Sequence, residues 1–512
     1  MALKKKWMRR LFGRRLFVAL LLLLQLAIFL YLLFSASEAS EVFGFVLTVV
    51  SIFVALGVVG SRVKPAFKLT WLISVLTFPI FGGLFYLIWE LQKPGGGLPA
   101  RLSRLEEESR PLFGGTEEAL EKAIARYPDH TRQLRYLQTT AGFPVRSDSD
   151  AVYFATGRGM FEAMLDAMNQ AQRYIFLEYF IIEDGEMWSA MIEVLKRKAA
   201  EGVTVRVMYD DFGCFLRLPD DFARTLTGWG IECTVFNPFR PIFTSTQNNR
   251  DHRKILSVDG KIAFTGGVNL ADEYIGVKQS LGRWKDAGIR VDGSAAWSLT
   301  LIFLELWSGT VNLHEDFARW KPTADMPRGE ECGLVLPYSD SPTDTENVGE
   351  HVYLNIINSA KRYVDIMTPY LILDDGVISA LCLAAKSGTD VRILTPQIPD
   401  KRLVHRTTRS YYPDLLAAGV RIYEYTGGFL HAKVFVSDDE TATVGSTNLD
   451  FRSLYLHFEC GVWMCDNRAV LAAREDFLDT LKDSAEIRAE DVRVTWWRGL
   501  CNQALRLIAP FL

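Results

Sequence analysis

The sequence predicts an α/β protein of two similar halves, preceded by a membrane region. Three observations carry this. A strand–helix–strand pattern occurs twice, each copy is followed by a His-x-Lys-x4-Asp motif, and a surplus of apolar residues is concentrated near the N-terminus. At 512 residues the chain is long enough for two or three domains, each burying its own core.

The membrane region is expected over residues 1–93, with apolar segments at 16–34, 42–60 and 69–89. About 20 helical residues at a rise of 1.5 Å span a hydrocarbon layer of roughly 30 Å. Gln25 is the one strongly polar member of the first segment. A basic start followed by an apolar run also opens a signal peptide, but this run exceeds the usual length and a second follows at once. The third segment is interrupted by Pro79, Gly82 and Gly83, with Trp71, Tyr86 and Trp89 near its ends as interfacial anchors. The cations before residue 16 and the loop with Arg62, Lys64 and Lys68 belong on the cytoplasmic side. Three full spans then place the globular part outside the cytoplasm. A third segment that re-enters at its Pro/Gly interruption places it inside.

Residues 94–146 open on Pro94-Gly95-Gly96-Gly97 and are expected as a mainly helical linker, followed by halves at 147–325 and 326–512. The first half begins AQRYIFLEYFIIEDG (171–185), continues with an amphipathic helical pattern and returns as VTVRVMYDD (203–211). The second begins AKRYVDIMTPYLILDDG (360–376) and returns, after a helical pattern, as TDVRILTP (389–396). Each reads as a βαβ unit with a right-handed crossover. A site between two such halves receives equivalent residues from both.

The motifs stand late in each half, in NNRDHRKILSVDGKIAFTGGVNL (248–270) and FLHAKVFVSDDETATVGSTNL (429–449). They supply His252, Lys254 and Asp259, then His431, Lys433 and Asp438. In both, a glycine follows the Asp by seven residues (Gly266, Gly445) and an asparagine by ten (Asn269, Asn448). Asp259-Gly260 signals a hairpin turn. His and Lys, two apart on an extended segment, share a face. The Asp, at an odd offset from the His, points away from it, so its expected role is local and structural. Asp286 and Glu459, acids entering apolar strands, are the candidates to orient the imidazoles.

Two histidines, two lysines and two asparagines suit phosphodiester chemistry without a metal or other cofactor. One imidazole attacks phosphorus, the other serves as acid and then base, and Lys and Asn bind the non-bridging oxygens, Asn269 and Asn448 being the candidate phosphate ligands. His130, His314, His351, His405 and His457 are expected to be ordinary core or surface residues, and the aromatic segments around Tyr179-Phe180 and Trp284 to be core. The seven cysteines are scattered and odd in number, with no C-x-x-C pair, and are expected as reduced core residues. The formal charge of −4 becomes −11 once the seven cations before residue 16 are set aside. A globular part that acidic is a poor partner for nucleic acid and argues against a nuclease. For the C-terminal segment 495–512, a terminal core helix is preferred over an interfacial one.

At these residues the chain resembles the phospholipase D superfamily, and within it the bacterial cardiolipin synthases. The similarity is closest over 248–276 and 410–459 and extends to the apolar 71–90. It implies two phospholipase D-like halves with the active site between them, in a multi-pass protein of the bacterial cell membrane. It also implies transfer of a phosphatidyl group from one phosphatidylglycerol to another, giving cardiolipin and glycerol through a phosphohistidine. By the superfamily's pattern His252 is the nucleophile and His431 the acid/base. The rival is phosphatidyl transfer or hydrolysis by the same site with another phospholipid, water or another alcohol. The third N-terminal segment departs from the family's usual two spans. Oligomeric state is not legible from the sequence.

Overall fold

A computed structural model describes residues 27, 38–77, 82–83, 86, 97–239, 245–322 and 332–511. The first apolar segment, except Ala27, and Pro79 and Trp89 of the third lie outside the described residues. The chain divides into two compact units. One comprises residues 1–95, 239–248 and 503–512. Within it, helices Glu38–Gly60 and Pro65–Thr77 carry Val54, Val58, Trp71 and Val75, which bury one another together with Tyr86. Trp71 meets Tyr86 and Phe511 edge-on at 5.4 and 5.5 Å, and Thr70 Oγ1 donates to the Leu507 carbonyl at 2.6 Å. Among the described residues, no helix is long and apolar enough to cross a membrane.

The other unit, residues 96–238 and 249–502, contains both halves. The first half supplies nine strands: β1 (Ser149–Phe154), β2 (Tyr174–Tyr179), β3 (Thr204–Asp210), β4 (Glu232–Phe236), β5 (Arg250–Asp251), β6 (Lys254–Val258), β7 (Ile262–Gly266), β8 (Arg283–Lys285) and β9 (Gly288–Gly293). Seven of them form a sheet in the order β1-β9-β7-β6-β2-β3-β4. The second half supplies β10 (Leu334–Asp340), β11 (Tyr363–Met367), β12 (Asp390–Pro396), β13 (Arg421–Tyr425), β14 (Gly428–Leu430), β15 (Val434–Ser437), β16 (Thr441–Gly445), β17 (His457–Cys465) and β18 (Ser484–Ile487). Its main path runs β10-β17-β16-β15-β11-β12-β13-β18, the same order with one strand added.

The sequence repeat is therefore a structural repeat. In each half the first two strands of the repeat pair in parallel, β2 with β3 and β11 with β12, across helices Glu186–Ala200 and Asp375–Lys386. These strands are buried along nearly their whole length, which is why apolar residues occupy both faces of each rather than one. The stretch expected as a linker forms helices Leu98–Phe113 and Glu117–Arg126 with buried Leu102, Leu105, Phe113 and Leu120. Helix Leu98–Phe113 packs on helix Ser294–Val311, which is buried from Ala295 to Gly309, Arg101 Nε donating to the Gly309 carbonyl at 3.0 Å. The C-terminal segment departs from the core helix preferred from sequence. Helix Trp496–Ile508 has no buried residue and exposes Trp496, Trp497, Leu500 and Ile508, because its apolar stripe stays open along its first turns, while its last turn belongs to the first unit, where Thr70 meets the Leu507 carbonyl. Cys214, Cys460 and Cys465 are buried and unpaired as expected, Cys233, Cys332 and Cys382 are half-buried, and Cys501 is exposed on that helix.

Two short ladders join the halves. β5 pairs in parallel with β17, and β14 in parallel with β8. Each ladder runs into a motif histidine: His252 N donates to the Phe458 carbonyl at 3.0 Å, and His431 N to the Lys285 carbonyl at 2.7 Å. The backbone just before each histidine is thus tied to a strand of the opposite half.

Candidate active site

Because each ladder continues into the strand that carries an acid, each histidine meets the carboxylate of the other half. His252 Nδ1 lies 2.9 and 3.1 Å from the two oxygens of Glu459, and His431 Nδ1 lies 2.7 Å from Asp286 Oδ2. An ionised carboxylate only accepts hydrogen bonds, so the Nδ1 proton of each neutral imidazole points at its acid and the lone pair is left on Nε2. The two acids occupy equivalent positions, each two residues before a glycine (Gly288, Gly461) that pairs with the motif glycine (Gly266, Gly445). Those glycines allow the strands to approach closely. A Cβ on Gly445 would lie 2.4 Å from the Cys460 carbonyl oxygen, and one on Gly267 would lie 2.0 Å from Asp286 Oδ1. In the second half Ser446 stands where Gly267 does, and its hydroxyl donates to Glu459. The longer acid of the pair thus gains a partner that the shorter one has no room for.

Lys254 and Lys433 are buried beside the imidazoles, and each donates to the carbonyl of its own motif histidine. Lys433 Nζ also lies 2.8 Å from His431 Nδ1. Burial pulls Lys254 down to about 8 and Lys433 to about 7. Burial, together with the charges of Lys254 and Lys433, holds His252 well below the ordinary histidine value. His431 falls to about 4 through burial and Lys433, with Asp286 opposing. Burial pushes the Asp286 carboxyl up, but His431 and Lys433 outweigh it and hold it below its usual range. Cationic groups crowded out of water in this way are stabilised by an anion placed among them.

Asp259 and Asp438 are not among these groups. Asp259 accepts from the backbone N–H of Gln172, Arg173 and Tyr174, each at 2.8 Å. Asp438 accepts from Lys361, Arg362 and Tyr363 at 2.7, 2.8 and 2.9 Å. Each sits at its hairpin turn with positive φ, Asp259-Gly260 at 53° and 67° and Asp438-Asp439 at 58° and 61°, and ties that turn to the start of the half's first repeat strand. Asn269 and Asn448 are both buried, but differently held. Asn269 accepts from the Ile181 N–H at 3.0 Å and donates to Tyr274 Oη at 2.8 Å, whereas Asn448 Oδ1 has no hydrogen-bond partner.

The aromatic segments read as core lie against the motif histidines. Phe180 packs edge-on to His252 at 4.9 Å between ring centroids. Tyr274 and Trp284 lie 5.6 Å, and Phe429 6.0 Å, from the His431 ring. His457, expected to be an ordinary histidine, departs from that expectation. Its ring is 5.6 Å from that of His252, and neither of its nitrogens has a hydrogen-bond partner. The signal available in the sequence was its position two residues before Glu459.

Comparison with known proteins fits this geometry. The family model described as "Cardiolipin synthase, PLD-like domain" matches residues 164–282 and 353–481, one match in each half. A cardiolipin synthase of Halalkalibacterium halodurans is 34% identical over 92% of this chain and 94% of its own length. Cardiolipin synthase 2 of Bacillus anthracis is 34% identical over 88% of this chain and 87% of its own. An uncharacterized protein of Streptococcus mutans is 42% identical over 89% and 98%. The crystal structure of phosphatidylserine synthase from Haemophilus influenzae superposes with a TM-score of 0.55 over 74% of this chain and 100% of that one, at 11% identity, a likeness of fold.

Proposed function

The chain belongs to the cardiolipin synthases of the phospholipase D superfamily, and from that premise we propose that it joins two phosphatidylglycerol molecules at the paired histidines, releasing glycerol. The observation that carries this is the crossed pairing of His252 with Glu459 and His431 with Asp286, each with a buried lysine two residues on. It supplies two imidazoles of fixed tautomer in a cationic setting, which is what a two-step displacement at an anionic phosphodiester requires.

His252 Nε2 attacks phosphorus of the first lipid and forms the P–N bond. The P–O bond to the head-group glycerol breaks, and His431, which takes up a proton on Nε2 when the anionic phosphodiester enters the site, donates it to the departing oxygen. Neutral His431 then takes the proton of a glycerol hydroxyl on the second lipid. That oxygen attacks phosphorus, the P–N bond breaks, and His252 returns with its lone pair. Lys254, Lys433 and the amides of Asn269 and Asn448 hold the non-bridging oxygens as charge builds on them. Glu459 and Asp286 act through the histidines as positioning residues. Asp259 and Asp438 serve the frame.

The N-terminal apolar segments anchor the enzyme in the bilayer. The exposed Trp496, Trp497, Leu500 and Ile508 support contact of the C-terminal helix with the lipid surface. Purified enzyme in detergent with phosphatidylglycerol alone is expected to release one glycerol for each cardiolipin formed. Formation of phosphatidic acid instead of cardiolipin would refute the transferase assignment.

A further inference from the structure

The pseudo-twofold relation between the halves fails at a further position beside the imidazoles. In the ladder ahead of His431, Trp284 pairs with Phe429, and in the one ahead of His252, His457 pairs with Arg250. Trp284 and His457 are equivalent, and each ring lies 5.6 Å from the motif histidine it faces. An indole fills this place in one half, its Nε1 buried and without a hydrogen-bond partner, an N–H that has no lone pair to offer. An imidazole fills it with two nitrogens, both buried and without a hydrogen-bond partner, on a side chain only 10% exposed. Leaving a buried polar atom unpaired costs about 1–3 kcal/mol. A ring without a nitrogen lone pair serves the equivalent site, so the packing alone gives no reason for a ring that brings one.

Their surroundings give one. His457 Nδ1 is 3.7 Å from Glu459 Oε1, the oxygen that lies 2.9 Å from His252 Nδ1. One ring nitrogen from each histidine and one carboxylate oxygen of Glu459 all lie within 4.8 Å of one another. Two imidazoles and a carboxylate are the ligand set of an open zinc site, with ligand distances of about 2.0–2.2 Å and a fourth position for water or substrate. Side-chain rotations of about 1 Å close the set to tetrahedral spacing. The two nitrogens select against Mg2+ and Ca2+, which take oxygen ligands.

We propose that His252, His457 and Glu459 form an inhibitory binding site for a divalent transition metal of the zinc type. The inhibitory part rests on the assignment of His252 to the phosphoryl chemistry, and the binding part does not. A neutral imidazole has one lone pair and one N–H. Metal on Nε2 takes the lone pair that attacks phosphorus. Metal on Nδ1 displaces Glu459 from its hydrogen bond and fixes the proton on Nε2. Either mode withdraws the nucleophile, and removal of the metal restores it with no covalent change.

The test uses the full-length enzyme in detergent, with Co2+ as the spectroscopic probe and ZnCl2 as inhibitor. Wild type is expected to show the visible absorption of four-coordinate Co2+, displaced by Zn2+, and to lose activity with ZnCl2 but not with MgCl2. His457→Phe, which puts an aromatic ring without nitrogen at this position, and His457→Gln are each compared with their own metal-free activity after circular dichroism shows native secondary structure. Both are expected to lose the Co2+ absorption and to weaken Zn2+ inhibition by at least about the 10–100-fold that follows loss of an outer-shell partner. An unchanged Co2+ spectrum and unchanged Zn2+ inhibition in both variants would overturn the site, leaving the role of His252 untouched. Loss of Co2+ binding in the variants with no Zn2+ inhibition of wild type would overturn the inhibitory assignment, and the nucleophilic role of His252 with it.

Discussion

Replacing Asp438 with alanine separates stability from chemistry at a motif residue. Its carboxylate accepts three backbone N–H groups, from Lys361, Arg362 and Tyr363, at 2.7–2.9 Å. At about 1.5–3 kcal/mol for each hydrogen bond to a charged group, the gross interaction is about 4.5–9 kcal/mol. The Lys361 and Arg362 amides are part-buried and take up water once the carboxylate is gone, which brings the expected loss to about 3–4 kcal/mol. Alanine also lacks the tolerance of Asp for the left-handed backbone at φ 58°, which adds about 1 kcal/mol. Asn at 438 retains an Oδ1 acceptor for Arg362 and Tyr363 together with that backbone tolerance, and is expected to lose about half as much. In thermal melts followed by circular dichroism, Asp438→Ala should lower Tm by about 5–6 °C, a total of about 4–5 kcal/mol acting on a unit of roughly 400 residues. At a temperature where both proteins are folded, kcat should fall by less than about tenfold, under about 1.4 kcal/mol of barrier. An unchanged Tm with activity lost as in His252→Ala would place Asp438 in the chemistry and refute its role in the frame.

Other consequences can be measured in the same preparations. Glu459→Gln and Asp286→Asn should each lower kcat by about 10²–10⁴ with little change in KM. Glu459→Asp, which copies the acid of the other half, should recover part of the loss, and a change in KM alone would refute the positioning role. Asn448→Ala should cost on the order of 10²–10³ in kcat, as for loss of one transition-state donor, and full activity would remove it from the phosphate site. Lys433, at about 7, and Lys254, at about 8, lose their protons first, so kcat/KM should fall as pH rises through that range. The same limb should move to higher pH in kcat, where the bound phosphodiester holds the protons on. Stability should move the opposite way. Between about 7 and 10.5 the unfolded lysine binds more protons than the folded one, so the Lys433 contribution to stability rises with pH, and Lys433→Met should remove that slope. A flat kcat/KM to pH 10 would contradict the activity statement, and a stability slope unchanged in Lys433→Met the stability one.

Much of the site was legible before any coordinates, because its signals are local. The His-x-Lys spacing puts two side chains on one face wherever the segment is extended, and the odd offset of the Asp already set it apart from the histidines. The runs at 174–179 and 363–367, apolar but for Glu178 and Asp365, mark strands buried on both faces. Asp286 and Glu459 were recognisable as acids too costly to bury unpaired. What was not legible is long-range. That Glu459 serves His252 and Asp286 serves His431 depends on β5–β17 and β14–β8 pairing across the halves, and ladders of two and three residues leave no periodicity to read. His457 looked ordinary because its environment is created by that same crossing. The C-terminal helix has the apolar stripe of a core helix, and nothing local in the sequence shows that its first turns stay exposed.

The two-step displacement is tested most directly by rapid alkaline quenching of wild-type enzyme during turnover of phosphatidylglycerol, followed by peptide mass spectrometry. Alkali preserves a P–N bond while the acyl esters are lost, so the expected result is a phosphoglycerol adduct on the peptide containing His252, formed and consumed at rates consistent with turnover. An adduct on His431 would reverse the roles of the two histidines. No adduct on either, with inversion of configuration when the phosphorus is made chiral, would contradict the phosphohistidine intermediate.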